Sequence, residues 1–422
     1  MDDTRRAIET VFRIESPKLI AGLARITREV GVAEELAQDA LVTALEQWPR
    51  TGIPERPAAW LMQAAKHRAI DHVRRGQLLA KKHEQLGHEL DGGAIGAGGG
   101  GDARAGSAED MINNLDDELG DDLLRLIFTS CHPVLSPEAR VALTLRLVGG
   151  LTSEEIARAF LVPMQTIQQR IVRAKKQLAD AGVPYEVPRG EELMPRLASV
   201  LEVIYLVFNE GYAATRGDDW VRPELCEDAL RLGRVLAGLA PDLAEVHGLV
   251  ALMEIQASRL HARVGTDGEP ILLFDQNRAR WDQLLIRRGL DALARGEALG
   301  GGVYTLQAAI AACHARARKP ADTDWARIAA TYAQLARLAP SPVVELNRAV
   351  AVGFAEGPAA GLAITDRLGD ALAGYHLLPS VRADLLAKLG RTAEAKAELA
   401  RAAELAGNAR ERRLLLDRAA KL

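Results

Sequence analysis

The chain has 422 residues, 48% of them hydrophobic but only 4% aromatic, with a formal net charge of −4 and three cysteines. That length holds two to four domains with real cores, and the small net charge excludes a protein that coats nucleic acid by bulk charge, so any such contact must come from local patches. Cys131, Cys226 and Cys313 stand far apart with no C-x-x-C and no matched histidines, and no apolar run approaches the length of a membrane span. Neither a zinc site nor a disulfide framework is expected, and a cytoplasmic protein without a membrane segment is. Abundant Ala, Leu and Arg with few β-branched runs indicate an all-α fold.

In the first segment, Ala37, Leu41, Ala44 and Trp48 recur on one helical stripe, which turns Glu35, Asp39 and Glu46 to the opposite side as an acidic face. Pro49, Pro54 and Pro57 punctuate the loop that follows. A second helix, from about Ala58 to Arg75, carries Lys66, His67, Arg68, Arg74 and Arg75 against a single acid, Asp71. Taken singly, either charge run is commonly a solvated helix face.

From Gly87 to Asp110 there are nine glycines and almost no apolar residue, the composition of a flexible linker. As a Gly-rich coil it would span roughly 25 to 30 Å, enough to separate two small domains on a large partner. Acids continue at Asp116, Asp117, Glu118, Asp121 and Asp122. Such a tether can keep basic modules off DNA or occupy a cationic channel, and equally can be plain solvated chain.

Residues 151 to 178 read as a helix-turn-helix. Thr152 and Glu155 form a capping box, Leu151 can staple onto Ile156, and Pro163 stops a continuous helix. In the second helix Ile167, Ile171, Ala174 and Leu178 face inward, so Gln165, Gln169, Arg173 and Lys176 face outward. That outward face holds amides and cations and no acid, which suits base edges and phosphates in a major groove. The plainer alternative is an amphipathic helix with a solvated basic face.

Past Gly182 and Pro184 the chain stays helical by pattern. Glu224 to Leu239 and Leu243 to Arg263 pair across Pro241. Farther on, Asp324 to Leu338, Pro342 to Phe354, Pro358 to Leu368, Leu378 to Leu389 and Thr392 to Leu405 alternate with Gly or Pro breaks. Gly357 and Gly390 open similar units 33 residues apart, close to a tetratricopeptide period. No P-loop, H-E-x-x-H or nucleophile motif occurs, and His247, His261, His314 and His376 are scattered, so no catalytic residue, metal site or cofactor is expected. Phe274 to Arg278 with Trp281 and Asp282 is the one polar cluster of the tail that stands out, and Asp275 is expected there as a helix N-cap.

The order of these parts resembles the extracytoplasmic-function group of sigma-70 factors, the promoter-recognition subunits of bacterial RNA polymerase. Val32 to Ala40 looks like the family's clamp-binding helix. Ala58-Ala59-Trp60-Leu61 followed by Arg68 to Arg75 is similar to its −10 helix, and Ser136 to Arg140 leading into Leu151 to Leu178 resembles its −35 reader. Each motif is loose alone; three in order with a tether between them are specific. The resemblance covers about residues 5 to 182, and Tyr205 to Tyr212 further resembles the subgroup with a fused tetratricopeptide-like extension.

The resemblance implies an all-α chain of two small sigma domains, at 1–86 and 113–183, joined by a linker at 87–112. A helical extension at 184–319 and tetratricopeptide-like repeats at 320–422 follow. It implies core RNA polymerase as partner, with Glu35, Gln38 and Asp39 on the β′ clamp helices, the second sigma domain on the β flap, and the linker in the polymerase channel. Lys66, Arg68, Asp71, Arg74 and Arg75 would lie along the melted −10 element, with a flipped base captured by the loop from Pro49 to Pro57. Gln165, Thr166, Gln169, Arg170, Arg173 and Lys176 would contact the −35 duplex. With only two tryptophans in the first domain, Trp48 and Trp60, and Trp48 on the buried stripe, strand opening would rely on base capture and backbone charge rather than an aromatic wedge, and a narrow promoter preference is expected. The tail would act on the sigma core through an intramolecular contact or a protein partner, so that removing 190–422 changes transcription strongly. An operator-binding regulator with a repeat sensor explains 151–178 and the tail but gives the first 80 residues no task.

Overall fold

The computed structural model describes residues 2–90, 119–213, 221–265, 271–407 and 409–422, without the side chains of 2–7, 9, 10, 13, 75–90, 119, 120, 409 and 410. The Gly-rich linker and the acids at Asp116, Asp117 and Glu118 lie outside the described residues. All regular structure among the described residues is helical. Two compact units are present, one of residues 1–158 and 162–203, the other of 159–161 and 204–422. The described residues of both stretches expected as sigma domains therefore fall in one compact unit, except for 159–161.

In the first unit, α1 (Asp2–Thr27), α2 (Val30–Thr51) and α3 (Pro57–Leu90) pack on one another. Arg28 takes a left-handed φ of 61° between α1 and α2. The expected stripe on α2 is formed, with Ala37, Ala44 and Trp48 buried, and Trp48 meets Trp60 of α3 edge to face at 5.2 Å. Pro49 does not open the loop: α2 continues through it to Thr51, because Pro within a last turn gives up only one donor, and Gly52 at φ 82° ends the helix. The loop is thus 52–56, and α3 runs well beyond Arg75.

The unit continues with α4 (Leu119–Ser130), α5 (Pro137–Leu147), α6 (Ser153–Phe160), α7 (Met164–Asp180) and the first half of α8 (Leu193–Tyr212). Ser136 caps α5 by accepting from Ala139 N, with Pro137 at the first helical position. α4 packs on α1, and their joint holds Asp122 with no exposure at all. Asp122 is therefore not an acid of the tether. Arg125 lies 2.5 Å and Arg25 3.3 Å from its carboxylate, and the Tyr185 hydroxyl sits within hydrogen-bond distance of the carbonyls of Asp122 and Ala21. Burial and the neighbouring carboxylate push the Tyr185 phenol up, so it stays a donor. Arg140, buried on α5, ties on α8 by pairing with Glu202 at 2.9 Å and donating to Ser199.

The second unit has α9 (Pro223–Leu239), α10 (Ala244–Ala257), α11 (Gln283–Ala298) and α12 (Val303–Arg316) around a core that includes Leu252, Ile255, Leu293 and Ala308. α10 comes close to its neighbours: a Cβ on Gly248 would stand 2.5 Å from Thr305 N, so only glycine fits that crossing. Glu245 of α10 caps α12, accepting from Tyr304 N at 2.8 Å and from Val303 N. Then α13 (Trp325–Leu338), α14 (Pro342–Ala355), α15 (Pro358–Asp366), α16 (Leu377–Lys388), α17 (Thr392–Leu405) and α18 (Ala409–Lys421) each pack on the next. Gly357 at φ 110° and Gly390 at φ 75° turn the chain before α15 and α17. Asp275 is not a helix cap. Asn277 caps a short 3-10 turn, and Asp282 caps α11 by accepting from Leu284 N at 2.8 Å and Leu285 N at 3.0 Å.

Candidate nucleic-acid and polymerase interface

The helix-turn-helix is built as its local chemistry dictates. Thr152 N donates to Glu155 at 2.7 Å, and Glu155 N donates to the Thr152 hydroxyl at 3.1 Å, closing the capping box. Leu161 turns the chain at a left-handed φ of 51°, and the Pro163 carbonyl accepts from Thr166 N at 2.9 Å to start α7. Ile167, Ile171, Ala174 and Leu178 are buried. Gln165, Gln169, Arg173 and Lys176 are exposed, while Thr166 and Arg170 are half-buried at the edge of the same helix. Arg170 and Arg140 help to hold the Glu138 carboxyl below its usual range, after the larger contributions of its own backbone and the Ser136 hydroxyl. Lys176 pairs with Asp180 at 2.9 Å, with both side chains mostly exposed.

Two outward residues escaped the sequence reading. Gln168 and Val172 share the exposed face, Val172 with 64% exposure. An apolar group among amides and cations suits a thymine methyl in the major groove, and the helical spacing 165, 168, 169, 172, 173, 176 already carried that signal.

On α2, Glu35 and Asp39 are exposed and Gln38 is half-buried. On α3, Arg68, Asp71 and Arg74 are exposed and Lys66 is half-buried; the Arg75 side chain lies outside the described residues. The acidic and basic faces touch: Arg68 is 3.3 Å from the Asp39 carboxylate and donates to the Thr43 hydroxyl at 3.2 Å.

Glu34, next to Glu35 but 5% exposed, pairs with Arg146 of α5 at 2.6 Å and with Lys175 of α7. Burial pushes its carboxyl up, but the Lys175 and Arg146 charges outweigh burial and hold it below the usual carboxylate range. Beside this network a cleft of about 320 Å³ is lined by Glu35 on one side and by Val172, Lys175 and Lys176 on the other, with Tyr185 also in its wall. The candidate polymerase face and the candidate −35 face thus border one cleft.

The three cysteines are free and buried. Burial pushes the Cys131 thiol up to about 11 and Cys226 up to about 12, and raises Cys313 as well. No group of metal-ligating side chains occurs among the described residues, and no helix among them is long and apolar enough to cross a membrane.

Residues 11–78 match the sigma-70 region 2 family and residues 125–178 the sigma-70 region 4 family. Residues 196–297 match a family of unknown function, DUF6596. An uncharacterized protein of Rhizobium meliloti is 43% identical over 94% of this chain and 91% of its own length. The ECF RNA polymerase sigma factor SigC of Mycobacterium tuberculosis is 26% identical over 42% of this chain and 84% of its own length. SigK of Mycobacterium ulcerans, another ECF RNA polymerase sigma factor, is 28% identical over 37% of this chain and 75% of its own. No solved structure matches. The chain carries ECF-like sigma-70 region 2 and region 4 domains, of a non-enzymatic family, ahead of a DUF6596 domain, and it belongs to one family with the Rhizobium meliloti protein.

Proposed function

We propose that the chain is an alternative sigma factor that binds core RNA polymerase and directs initiation at its own promoters. The observation that carries this reading is the placement, in region 2 and region 4 domains, of an exposed acidic face on α2 and an exposed face of cations and amides on α7 with a single acid, Asp180, at its C-terminal end. In this reading Glu35, Gln38 and Asp39 bind the β′ clamp helices and region 4 meets the β flap. Lys66, Arg68, Asp71, Arg74 and Arg75 follow the −10 strand, with the loop 52–56 capturing a flipped base. Gln165, Thr166, Gln169, Arg170, Arg173 and Lys176, joined by Gln168 and Val172, read the −35 duplex. The linker enters the polymerase channel. The test is run-off transcription with sigma-free core polymerase on the gene's own upstream DNA. Initiation that requires the chain supports the reading; DNA binding without initiation replaces it with an operator-binding regulator.

Charge reversal of α2 separates the two tasks. Glu35→Lys with Asp39→Lys is expected to cut core-polymerase affinity at least tenfold while leaving region 4 binding to duplex DNA unchanged, measured side by side by polymerase pull-down and by DNA titration. Loss of the Asp39–Arg68 pair adds little, since both side chains are about half exposed and such pairs are worth about 0.2–1 kcal/mol.

The C-terminal unit acts on the sigma domains from within the same chain, where covalent linkage gives even weak contacts a high effective concentration. The succession α13 to α18, each packed on the next, supports a tetratricopeptide-like organisation. Cutting at residue 190 would also remove Ser199 and Glu202, the partners of Arg140. A chain ended after residue 213 keeps them. That truncation is expected to change run-off yield severalfold in one direction or the other, and a yield equal to that of the full chain would remove the regulatory role.

A further inference from the structure

The polar stretch from Phe274 to Asp282 has no task in the sigma reading. Arg259, just past α10, and Arg278, in the short turn before α11, place their guanidinium carbons 5.7 and 5.0 Å from the ring centroid of Trp281, which is 3% exposed. Both arginines are half-buried. Their hydrogen-bond partners are neutral: Arg259 donates to the Tyr212 hydroxyl at 2.6 Å, and Arg278 donates to the carbonyls of His314 at 2.8 Å and Ala317 at 2.6 Å. Neither forms an ion pair with a described carboxylate. Asp322 acts on Arg278 only from a distance, against the stronger effects of burial and of Arg259, which together weaken the arginine's hold on its proton. A third guanidinium, that of Arg263, lies 3.8 Å above the Tyr212 ring.

Hydrogen-bonding atoms are also left over in this cluster. Trp281 Nε1, Arg278 Nε and His314 Nδ1 are buried without a partner. Burial first, then Arg259 and Arg278, lowers His314 to about 4, so the imidazole is neutral at pH 7 and the positive charge here belongs to the arginines alone. Holding two half-buried cations beside each other carries a cost unless an anion compensates them. Buried donors without acceptors add to that cost.

We propose that Arg259, Arg278 and Trp281 form a binding site for a phosphorylated small molecule. Guanidinium forks match phosphate oxygens in geometry as well as charge, and an indole N–H supplies a further donor. The three terminal oxygens of a phosphate monoester can engage more of these donors than the two oxygens of a carboxylate. The site lies within the C-terminal unit and does not rest on the sigma reading, so each can fail without the other.

The test is thermal unfolding of the full chain in inorganic phosphate and in glycerol phosphate, at constant ionic strength, against chloride and acetate. Both phosphates are expected to raise the midpoint by about 2–4 °C at saturation. Arg259→Gln is expected to weaken the response at least tenfold. Arg278→Gln should do the same, but it also releases two carbonyls; if it fails to fold, Arg259→Gln decides. No shift beyond chloride, an equal shift with acetate, or an undiminished shift in a folded Arg259→Gln protein would each overturn the proposal.

Discussion

Replacing Arg173 and Lys176 together by glutamate is expected to lower promoter affinity about a thousandfold and abolish chain-dependent initiation, with core-polymerase binding unchanged. Both side chains are exposed on the outward face of α7, and neither supports the core beneath it, which is made by Ile167, Ile171, Ala174 and Leu178. The fold should therefore survive. The loss has two parts. A cation withdrawn from a phosphate gives up the release of its counterion, and a carboxylate in its place adds repulsion. The signature is the salt dependence: the slope of log affinity against log salt should fall by about 0.9 for each phosphate contact removed. DNA titration at several salt concentrations checks it. A double variant with unaltered slope and affinity would remove α7 from the interface.

The second large effect is expected at Glu34. Glu34→Gln keeps the shape but leaves Lys175 and Arg146, each about one-fifth exposed, without their shared counter-charge. Breaking a buried network at one partner costs about 3–5 kcal/mol; partial exposure of the two cations places the expected loss near about 3. The same carboxylate makes stability depend on pH. Its folded pKa is lowered, so its contribution is fully present above the usual carboxylate range and disappears as pH falls through the lowered value. Urea unfolding at neutral pH and at a pH below the usual carboxylate range should show the wild type losing stability over that interval and Glu34→Gln losing less. Because the network joins α2 to α5 and α7, the variant should also loosen region 2 from region 4, measured as a larger hydrodynamic radius. An unchanged midpoint and radius would make Glu34 a bystander.

Much of the helical frame was legible because its determinants are local. The Thr152–Glu155 box, the inward stripe of α7 and the ends of α13, α14 and α17 follow from caps, turn residues and a period of 3.6. Local rules also misled. Pro49 reads as a loop signal, yet a helix tolerates it one turn from its end. Asp275 and Asp282 offer equally good caps in sequence, and only the path of the chain selects the second. What escaped entirely depends on partners far away. Asp122 reads as one more acid of a tether until Arg25, almost a hundred residues earlier, is beside it. Glu34 and Glu35 are adjacent and chemically identical, and burial alone separates an internal tie from an exposed face. The two arginines around Trp281 come from separate segments, Arg259 just past α10 and Arg278 in the turn before α11, and no spacing rule links them.

The contact between Asp39 and Arg68 gives the region 2 surface a property neither helix has alone. Under the proposed roles, a protein that engages Asp39 releases Arg68 for a nucleic acid, and by thermodynamic reciprocity the nucleic acid favours the protein equally. An exposed pair of this kind sets a ceiling of about 1 kcal/mol on that linkage, or about fivefold. Polymerase and promoter would each raise the other's affinity for the free subunit modestly, without any change of backbone.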